Sequence, residues 1–193
     1  MTGIATRQRI LDAGSKLVHV KGYKATGIQE ILESAHVPKG SFYFYFKSKD
    51  EYGLSLVQLY VEEAMTTLNL FAGDTRFSPL QNLRRYMEER MEQIRMQDFS
   101  GGCPLGNLAQ ELSSVNERFR AAVESGFQKI AEGIELFLAG AKEVGELPEW
   151  FDTTVQANML LNMWEGCILR SKAQKSTAPL EAFHDMLFSK LLQ

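Results

Sequence analysis

The chain has 193 residues, of which 45% are hydrophobic and 23% are charged, as in folded globular proteins and unlike disordered, collagen-like or coiled-coil chains. Two cysteines and three scattered histidines argue against a disulfide framework and a metal site. The N-terminus has no signal-peptide pattern, and the longest uncharged apolar-leaning stretch, residues 153–164, is shorter than a membrane span. We therefore expect a cytoplasmic protein with no membrane segment, metal or cofactor.

The net charge of −3 is unevenly distributed along the chain. Residues 1–49 hold eight Lys and Arg against three acidic residues, a balance of +5, and the remainder has a balance of −8. A basic end on an acidic body is typical of a chain whose one end binds a polyanion. Chance segregation of solvated charges is the alternative interpretation, and charge alone does not separate the two.

The front of the chain predicts three short helices. Apolar residues at 10, 13, 17 and 20 follow helical spacing, and Gly22 ends this first helix. Thr26 followed by Gln29 has the spacing of a capping box and opens a second helix. Pro38 ends the connection and begins a third helix that runs to about Tyr45. Two short helices joined by a tight turn indicate a helix-turn-helix.

The rest of the chain also parses into helices. Capping boxes are predicted at Ser48 with Glu51, at Ser78 with Gln81 and at Ser114 with Glu117. The helices are expected over residues 48–71, 79–96, 105–112, 115–142, 149–173 and 179–192. The predicted fold is all-α, with about nine helices. We expect a helix-turn-helix DNA-binding domain over residues 1–47 and a helical ligand-binding and dimerisation domain over residues 48–193.

Two stretches of the front part carry a family resemblance. The sequence TGIQEI at residues 26–31, followed by VPKGSFYFYFKSK at residues 37–49, resembles the DNA-binding domain of the TetR family of bacterial transcriptional regulators. The match covers residues 7–52 and combines a turn glycine, a tyrosine, an aromatic pair and a lysine at a helix start. The remainder resembles the family in its helical content and length, which fits a family whose ligand domains diverge.

A helix-turn-helix lays its second helix in the major groove, so the residues at its start must be short or able to bond base edges. Lys39 can donate to guanine, Gly40 lets the backbone approach DNA, and Ser41 is short and polar. The resemblance implies that these positions and Phe44 face the bases. Phe42 and Phe46, four apart, are expected to pack inward, since five consecutive aromatics cannot all be buried on one short helix.

A second set of residues is expected to hold phosphates. Tyr43 and Tyr45 carry hydroxyls on either side of the predicted recognition helix, and Lys49 lies in the first turn after Ser48. Thr26 is expected to contact a phosphate on the other strand, with simple helix capping as the alternative. The predicted DNA contacts are thus Thr26, Lys39, Gly40, Ser41, Tyr43, Phe44, Tyr45 and Lys49.

One half-site gives too little affinity for a genomic search, so a homodimer on a palindromic double-stranded operator is expected. The resemblance implies that the last two helices of each subunit form a four-helix bundle. The candidate interface residues are Leu160, Met163, Trp164, Ile168, Phe183, Leu187 and Leu191. For each of them, packing inside one subunit is the alternative.

The middle of the chain is expected to sense an effector. Its loop SGGCPLGNLAQE at residues 100–111 resembles a TetR subgroup that senses electrophiles and oxidants through a cysteine. A thiol at a helix N-terminus has its thiolate favoured by the helix dipole. Cys103 is therefore a reactive sensor, a pocket-lining residue or a packing residue, and these alternatives stay open. The other candidates for an effector site are Met87, Met91, Asn107, Phe127 and Trp164.

These observations predict a dimeric DNA-binding repressor that is released by a small molecule or by cysteine modification. An activator of the same fold is an alternative, because the sign of regulation depends on where the operator lies. An enzyme or carrier without DNA binding is a further alternative. The sequence lacks a Ser/His/Asp constellation, a phosphate loop or a metal motif in support of an enzyme.

Overall fold

A computed structural model describes residues 3–192. All regular structure in this range is helical, which confirms the predicted all-α fold and its nine helices. They are α1 Gly3–Lys21, α2 Ile28–Ser34, α3 Phe42–Tyr45, α4 Lys49–Ala72, α5 Pro79–Met96, α6 Pro104–Leu112, α7 Glu117–Glu143, α8 Thr153–Gln174 and α9 Ala178–Met186. A 3-10 turn over Lys39–Ser41 precedes α3, and a π-helical turn over Leu187–Leu191 follows α9.

Two of the predicted helix starts have the expected polar caps. Ser78 accepts the backbone N–H of Gln81 and the Gln81 side chain accepts the N–H of Ser78, a complete capping box ahead of Pro79. Ser48 accepts the N–H of Glu51 at 3.1 Å, while the Glu51 carboxylate accepts the N–H of Lys47 at 2.9 Å. The spacing of three residues between Ser and Gln or Glu thus located both helix starts. In the second box the Glu51 carboxylate accepts from Lys47, one residue before the expected Ser48.

Two predicted caps were wrong. Helix α7 is capped by Asn116, whose side-chain oxygen accepts the N–H groups of Arg118 and Phe119 at 3.1 and 3.4 Å, and not by Ser114. Helix α2 has Gly27 at its N-cap and no side-chain cap. The hydroxyl of Thr26 instead donates to the carbonyl of Gly22 at 2.7 Å, which is the acceptor that the folded turn places nearest to it.

The chain forms two compact units. The first contains the residues up to Tyr60 together with Pro104–Gly126, and the second contains Val61–Cys103 and the residues from Phe127 onward. These two units do not coincide with the predicted domains, residues 1–47 and 48–193. Helices α4 and α7 each contribute residues to both units. The functional boundary at 47/48 stays a prediction.

The core of the first unit is built around aromatic rings. Phe42 and Phe46 are buried, as predicted, and their ring centroids lie 5.6 and 5.1 Å from that of Tyr52, which is also buried. Ile10 and Ile31 are also fully buried in this unit. Because Phe42 and Phe46 lie four residues apart, both point to the same side of the short helical segment and leave its other side exposed.

The second unit has a larger aliphatic and aromatic core, with Leu68, Leu83, Phe137 and Leu138 among its buried residues. Leu160, Phe183 and Leu187 also belong to this core, and Ile168 belongs to a smaller cluster beside α5. For these four candidates the alternative, packing inside one subunit, is therefore the one that the structure supports. They are buried within one subunit, whereas Leu191 is about half exposed.

Within the described range, none of the helices is both long enough and apolar enough to span a bilayer.

Candidate DNA-binding surface and sensing site

The recognition segment, residues 39–45, comprises the 3-10 turn and α3. Burial of Phe42 and Phe46 fixes its inner side, and its outer side is exposed. Tyr43 is 66% and Phe44 81% exposed, and Lys39 and Gly40 are exposed as well. Ser41 and Tyr45 are half-buried at its edges. The structure therefore brings six of the eight predicted DNA contacts onto one short element.

Gly40 is not required by the fold. A Cβ built on it would have no neighbour within 4 Å, and its backbone is not in the left-handed region. Gly22 is the opposite case, because its φ is +89° and an added Cβ would lie 2.7 Å from Glu111 Oε1. A glycine at position 40 costs helical stability without relieving any strain or crowding, so its value must come from something that approaches this surface.

Thr26 does not lie on this surface. Its side chain is fully buried and its hydroxyl is used by the Gly22 carbonyl. The predicted phosphate contact of the Thr26 hydroxyl is corrected accordingly, since a buried hydroxyl cannot reach DNA. The residue stabilises the turn between α1 and α2.

The turn between α2 and the recognition segment is held by an arginine from α1. His36 has a left-handed backbone, with φ of 53°. Arg9 donates to the carbonyls of Ala35 and His36, both at 3.1 Å. Sequence reasoning missed this role, because the two partners are 26 and 27 residues away from Arg9. The contact orients the recognition segment relative to α1.

A second support lies at the turn over residues 22–24. The Glu111 carboxylate of α6 accepts the backbone N–H groups of Tyr23 and Lys24, each at 2.9 Å. The Lys49 ammonium donates to the Tyr23 carbonyl at 2.8 Å and lies 4.6 Å from the centroid of the Tyr23 ring. Burial lowers the pKa of Lys49. One N–H of the Lys49 ammonium is thus used within the fold. The role of Glu111 was not predicted from the sequence.

The structure separates the predicted sensing residues into three places. Met91, Cys103 and Trp164 pack against the small cluster of Ile94, Ile168 and Leu180. Met87 is buried in the larger core, and Phe127 packs at its margin. Asn107 lies on α6, in the first compact unit. Met91, Cys103 and Trp164 therefore share the small cluster of the second unit, and Trp164 also packs against the larger core.

Cys103 has ionisable neighbours that the sequence did not reveal. Its thiol donates a hydrogen bond to the carboxylate of Glu165, and Arg90 is close enough to interact electrostatically with that carboxylate. Burial raises the pKa of Glu165, while the thiol and Arg90 oppose this rise. Burial also raises the pKa of Tyr86, which interacts with Cys103, Arg90 and Glu165. We call these four residues the thiol–carboxylate cluster.

Lysines of the C-terminal part of the chain hold the loop that carries Cys103. Lys172 donates to the carbonyl of Gly101 at 3.3 Å, and Lys175 donates to the carbonyl of Asp98 at 3.0 Å. Asp98 and Phe99 both have left-handed backbones. Cys167, the other cysteine, packs against both hydrophobic clusters of this unit, and burial raises its pKa. Among the described residues, no group of three or more His, Cys, Asp and Glu could hold a metal ion.

Comparison with known proteins agrees with this architecture. Residues 10–51 match the family described as bacterial regulatory proteins of the tetR family, and residues 79–187 match the tetracyclin repressor-like C-terminal domain. The chain is 34% identical to the transcriptional regulator AcuR of Cereibacter sphaeroides over 91% of this chain and 80% of AcuR. It is 28% identical to the transcriptional repressor DhaR of a Mycobacterium species over 100% of this chain and 95% of DhaR.

A solved structure extends the agreement to three dimensions. The crystal structure of the reduced form of Escherichia coli NemR superimposes with a TM-score of 0.87 at 26% identity, covering 96% of this chain and 97% of that one. Sequence matches thus cover both the helix-turn-helix and the helical C-terminal part, and the fold matches over nearly the whole length. The chain therefore belongs to the TetR family and is a DNA-binding transcriptional regulator.

Proposed function

We propose that this protein is a homodimeric cytoplasmic repressor that binds a palindromic operator and leaves it when an effector acts at the thiol–carboxylate cluster. The observation that carries the DNA contacts is the exposed outer side of the recognition segment, where Lys39, Gly40 and Phe44 are all solvent-accessible. DhaR and NemR are both named as repressors, which favours repression over activation.

Base reading is assigned to the start of the recognition segment. Lys39 donates to guanine O6 or N7, and the Ser41 hydroxyl bonds to a neighbouring base edge. Gly40 lets the backbone approach the groove floor, which explains a glycine that the fold does not need. These residues are exposed or half-buried before DNA binds, so no core contact has to break.

Phosphate binding is assigned to the flanks of the same segment. Tyr43 and Tyr45 present hydroxyls toward the two sides of the groove. Lys49 donates one hydrogen bond to the Tyr23 carbonyl, and an ammonium carries three N–H groups. Its remaining donors are available for a phosphate at the N-terminus of α4, and its contact with Tyr23 fixes where they point.

Dimerisation is assigned to one face of α8. Val155, Met159, Asn162, Gly166 and Leu169 recur every three or four residues, and all five are exposed. This spacing puts them in one stripe along the helix. A Cβ on Gly166 would meet nothing within 4 Å in the single chain, so the glycine leaves room for the backbone of a second copy. We call this set the α8 stripe.

The dimer assignment is tested by Gly166→Leu, with Gln174→Leu as a control on another exposed position of α8. The glycine variant is expected to become monomeric in light scattering while it keeps its helical circular dichroism. The control is expected to stay dimeric. If Gly166→Leu stays dimeric, the α8 stripe is not the dimer interface.

Effector sensing is assigned to the Cys103 thiol. When its sulfur attacks the alkene carbon of an electrophile such as a maleimide, a C–S bond forms and the thiol proton passes to Glu165. The other alkene carbon then takes a proton from solvent. A carboxylate that already accepts the S–H bond, with a pKa raised by burial, suits this proton transfer. That a relative was crystallised in a form named reduced also supports a redox- or thiol-dependent response.

The C–S adduct adds bulk at the residue that directly precedes α6. Helix α6 carries Glu111, and Glu111 holds the turn over residues 22–24 by two hydrogen bonds. Movement of α6 would therefore disturb the anchor of Lys49 and the helix α4 that begins there. A repressor needs only a few kcal/mol of such coupling to lose its operator.

The proposal is tested by fluorescence anisotropy of the reduced protein on the DNA upstream of its own gene, titrated with N-ethylmaleimide. Wild type and Cys167→Ser are expected to lose binding, and Cys103→Ser to keep it. If all three proteins keep binding, Cys103 lines a non-covalent site or packs the core. If Cys167→Ser alone keeps binding, the reactive thiol is Cys167. If the reduced protein does not bind this DNA, the operator lies elsewhere in the genome.

A further inference from the structure

Phe44 has no role in the folded chain that accounts for its exposure. Its side chain is 81% exposed, while Phe42 and Phe46 on either side of it supply the core contacts of the recognition segment. A phenyl ring that stays in water forfeits the hydrophobic stabilisation that burial would give it. A leucine or lysine would serve this position equally well if only the fold mattered.

The ring is nevertheless held in place. Its centroid lies 5.0 Å from that of Tyr45, with the two planes at 85°, an edge-to-face arrangement. Tyr45 is itself half-buried, which limits its movement. Phe44 lies four residues after Gly40, so both are on the same side of the segment, and the glycine puts no side chain beside the ring. The phenyl ring therefore stands out from this surface and leans on the ring of Tyr45.

The chemistry of a phenyl ring restricts what it can recognise in a major groove. It neither donates nor accepts the hydrogen bonds that phosphates, guanine, adenine and cytosine offer there. Among the four bases of ordinary DNA, the apolar group exposed on the major-groove edge is the C5-methyl of thymine. We propose that Phe44 reads a thymine methyl in each operator half-site. This inference rests on the proposed major-groove docking of the recognition segment.

The test uses a duplex obtained by selecting wild-type protein against a random double-stranded library. Each thymine of the selected duplex is then replaced in turn by deoxyuridine, which pairs identically and lacks only the methyl group. One thymine of each half-site is expected to respond. Its replacement in one half-site should lower wild-type affinity about four-fold, the factor for burying one methyl group. Replacement in both half-sites together is expected to lower it about sixteen-fold.

Variants assign the effect to the ring. Phe44→Ala is expected to bind the thymine and uracil duplexes equally, and Phe44→Leu to retain part of the preference because it keeps an apolar side chain. Tyr43→Phe serves as the matched control, since it loses a phosphate contact and should weaken both duplexes by the same factor. Circular dichroism of Phe44→Ala is expected to match wild type, because the ring is exposed.

Two results would overturn the thymine assignment: a wild-type protein that is indifferent to every replacement, or a Phe44→Ala protein that keeps the full preference at the same thymine. Failure of the selection itself is a different result. If no duplex is enriched at low salt, major-groove docking fails and the proposed function fails with it.

Discussion

The recognition segment and the thiol–carboxylate cluster each place side chains where they lower the stability of the chain, but they do so in opposite ways. The first leaves the rings of Tyr43 and Phe44 in water, although apolar surface is more stable when buried. The second removes part of the water around the carboxylate of Glu165, which is half-buried, although a charge is more stable when hydrated. The remaining core of each unit follows the ordinary rule of apolar side chains inside.

This contrast locates function without reference to any relative. A side chain that lowers the stability of the chain in its folded environment indicates a functional site. On the recognition segment that function is contact with a partner that covers the rings. At the cluster we propose that it is to hold a proton acceptor next to a thiol. Substitutions that restore ordinary stability should therefore remove function in both regions.

The largest effect is expected from Gly40→Leu. Replacing a helical glycine that has no neighbours should leave the melting temperature unchanged or raise it, because leucine has the higher helix propensity. The added side chain should block close approach to DNA and weaken operator binding on the order of 100-fold, the scale of losing one or two base contacts per half-site. Anisotropy and thermal melts measure the two quantities.

Ala121→Leu is the control for Gly40→Leu, since residue 121 is an exposed helical position in the same compact unit. It should bind the operator like wild type. If Gly40→Leu binds the operator as tightly as wild type, the exposed side of the recognition segment does not face DNA.

Lys39→Ala and Lys49→Ala separate base contacts from phosphate contacts within the DNA-binding surface. Lys39→Ala is expected to lose about ten-fold discrimination at one base pair of each half-site, as for a lost guanine contact. Lys49→Ala should weaken operator and random DNA alike and lower the salt slope by about 1 per half-site. Titrations at several salt concentrations on both DNAs distinguish them. Equal losses on both DNAs for Lys39→Ala would remove its base-reading role.

Glu111 offers a contrast to Glu165, because its carboxylate is satisfied by two backbone N–H groups. Glu111→Ala leaves both donors without this acceptor and should cost about 1–3 kcal/mol of unfolding free energy. Glu111→Gln keeps one acceptor oxygen and should cost less. Both should also weaken operator binding, by up to about ten-fold for Glu111→Ala.

Urea unfolding and anisotropy on the same preparations measure the two effects of the Glu111 variants. A loss of unfolding free energy with unchanged operator affinity would make Glu111 a purely structural support of the turn. A parallel loss of both would be expected if the turn over residues 22–24 positions Lys49 and α4 for DNA.

Local patterns predicted the parts of this molecule that depend on neighbours in the chain. The pair Phe42 and Phe46, the turn glycine Gly22 and the cap at Ser78 all follow from spacings of four residues or fewer. Asn116 and Ser114 show the limit of that method. Both residue types can cap a helix, and the folded connection gave the role to Asn116.

The contacts that build the two sites were much less predictable, because they join distant parts of the chain. Glu165 reaches Cys103 across 62 residues, and Glu111 reaches Tyr23 across 88. One signal was present: Glu165 is the single charged residue in the apolar run from Thr153 to Leu169. A lone acid in such a run is costly to bury and therefore marks a site worth testing.

The smallest expected effect comes from Glu165→Gln, which tests the buried carboxylate directly. A carboxyl group whose pKa is raised by folding binds its proton more tightly in the folded state than in the unfolded state. The contribution of Glu165 to stability should therefore be fully present below its unfolded pKa and be lost as pH rises through the raised folded value. Arg90 and the Cys103 thiol face Glu165 and limit this fall, while Tyr86 stays neutral throughout because burial raises its pKa.

Glutamine fills the same volume without a charge. Glu165→Gln should therefore melt about 3 °C above wild type at pH 8, which corresponds to roughly 1 kcal/mol in a chain of this size. At pH 5 the two proteins should melt at nearly the same temperature. Its Cys103 should also react more slowly with N-ethylmaleimide at pH 8, because an amide cannot take the thiol proton. Melting curves at the two pH values and mass-spectrometric alkylation rates measure both effects. A temperature difference that does not change with pH would mean that the carboxylate is hydrated, and the contrast with the recognition segment would then fail.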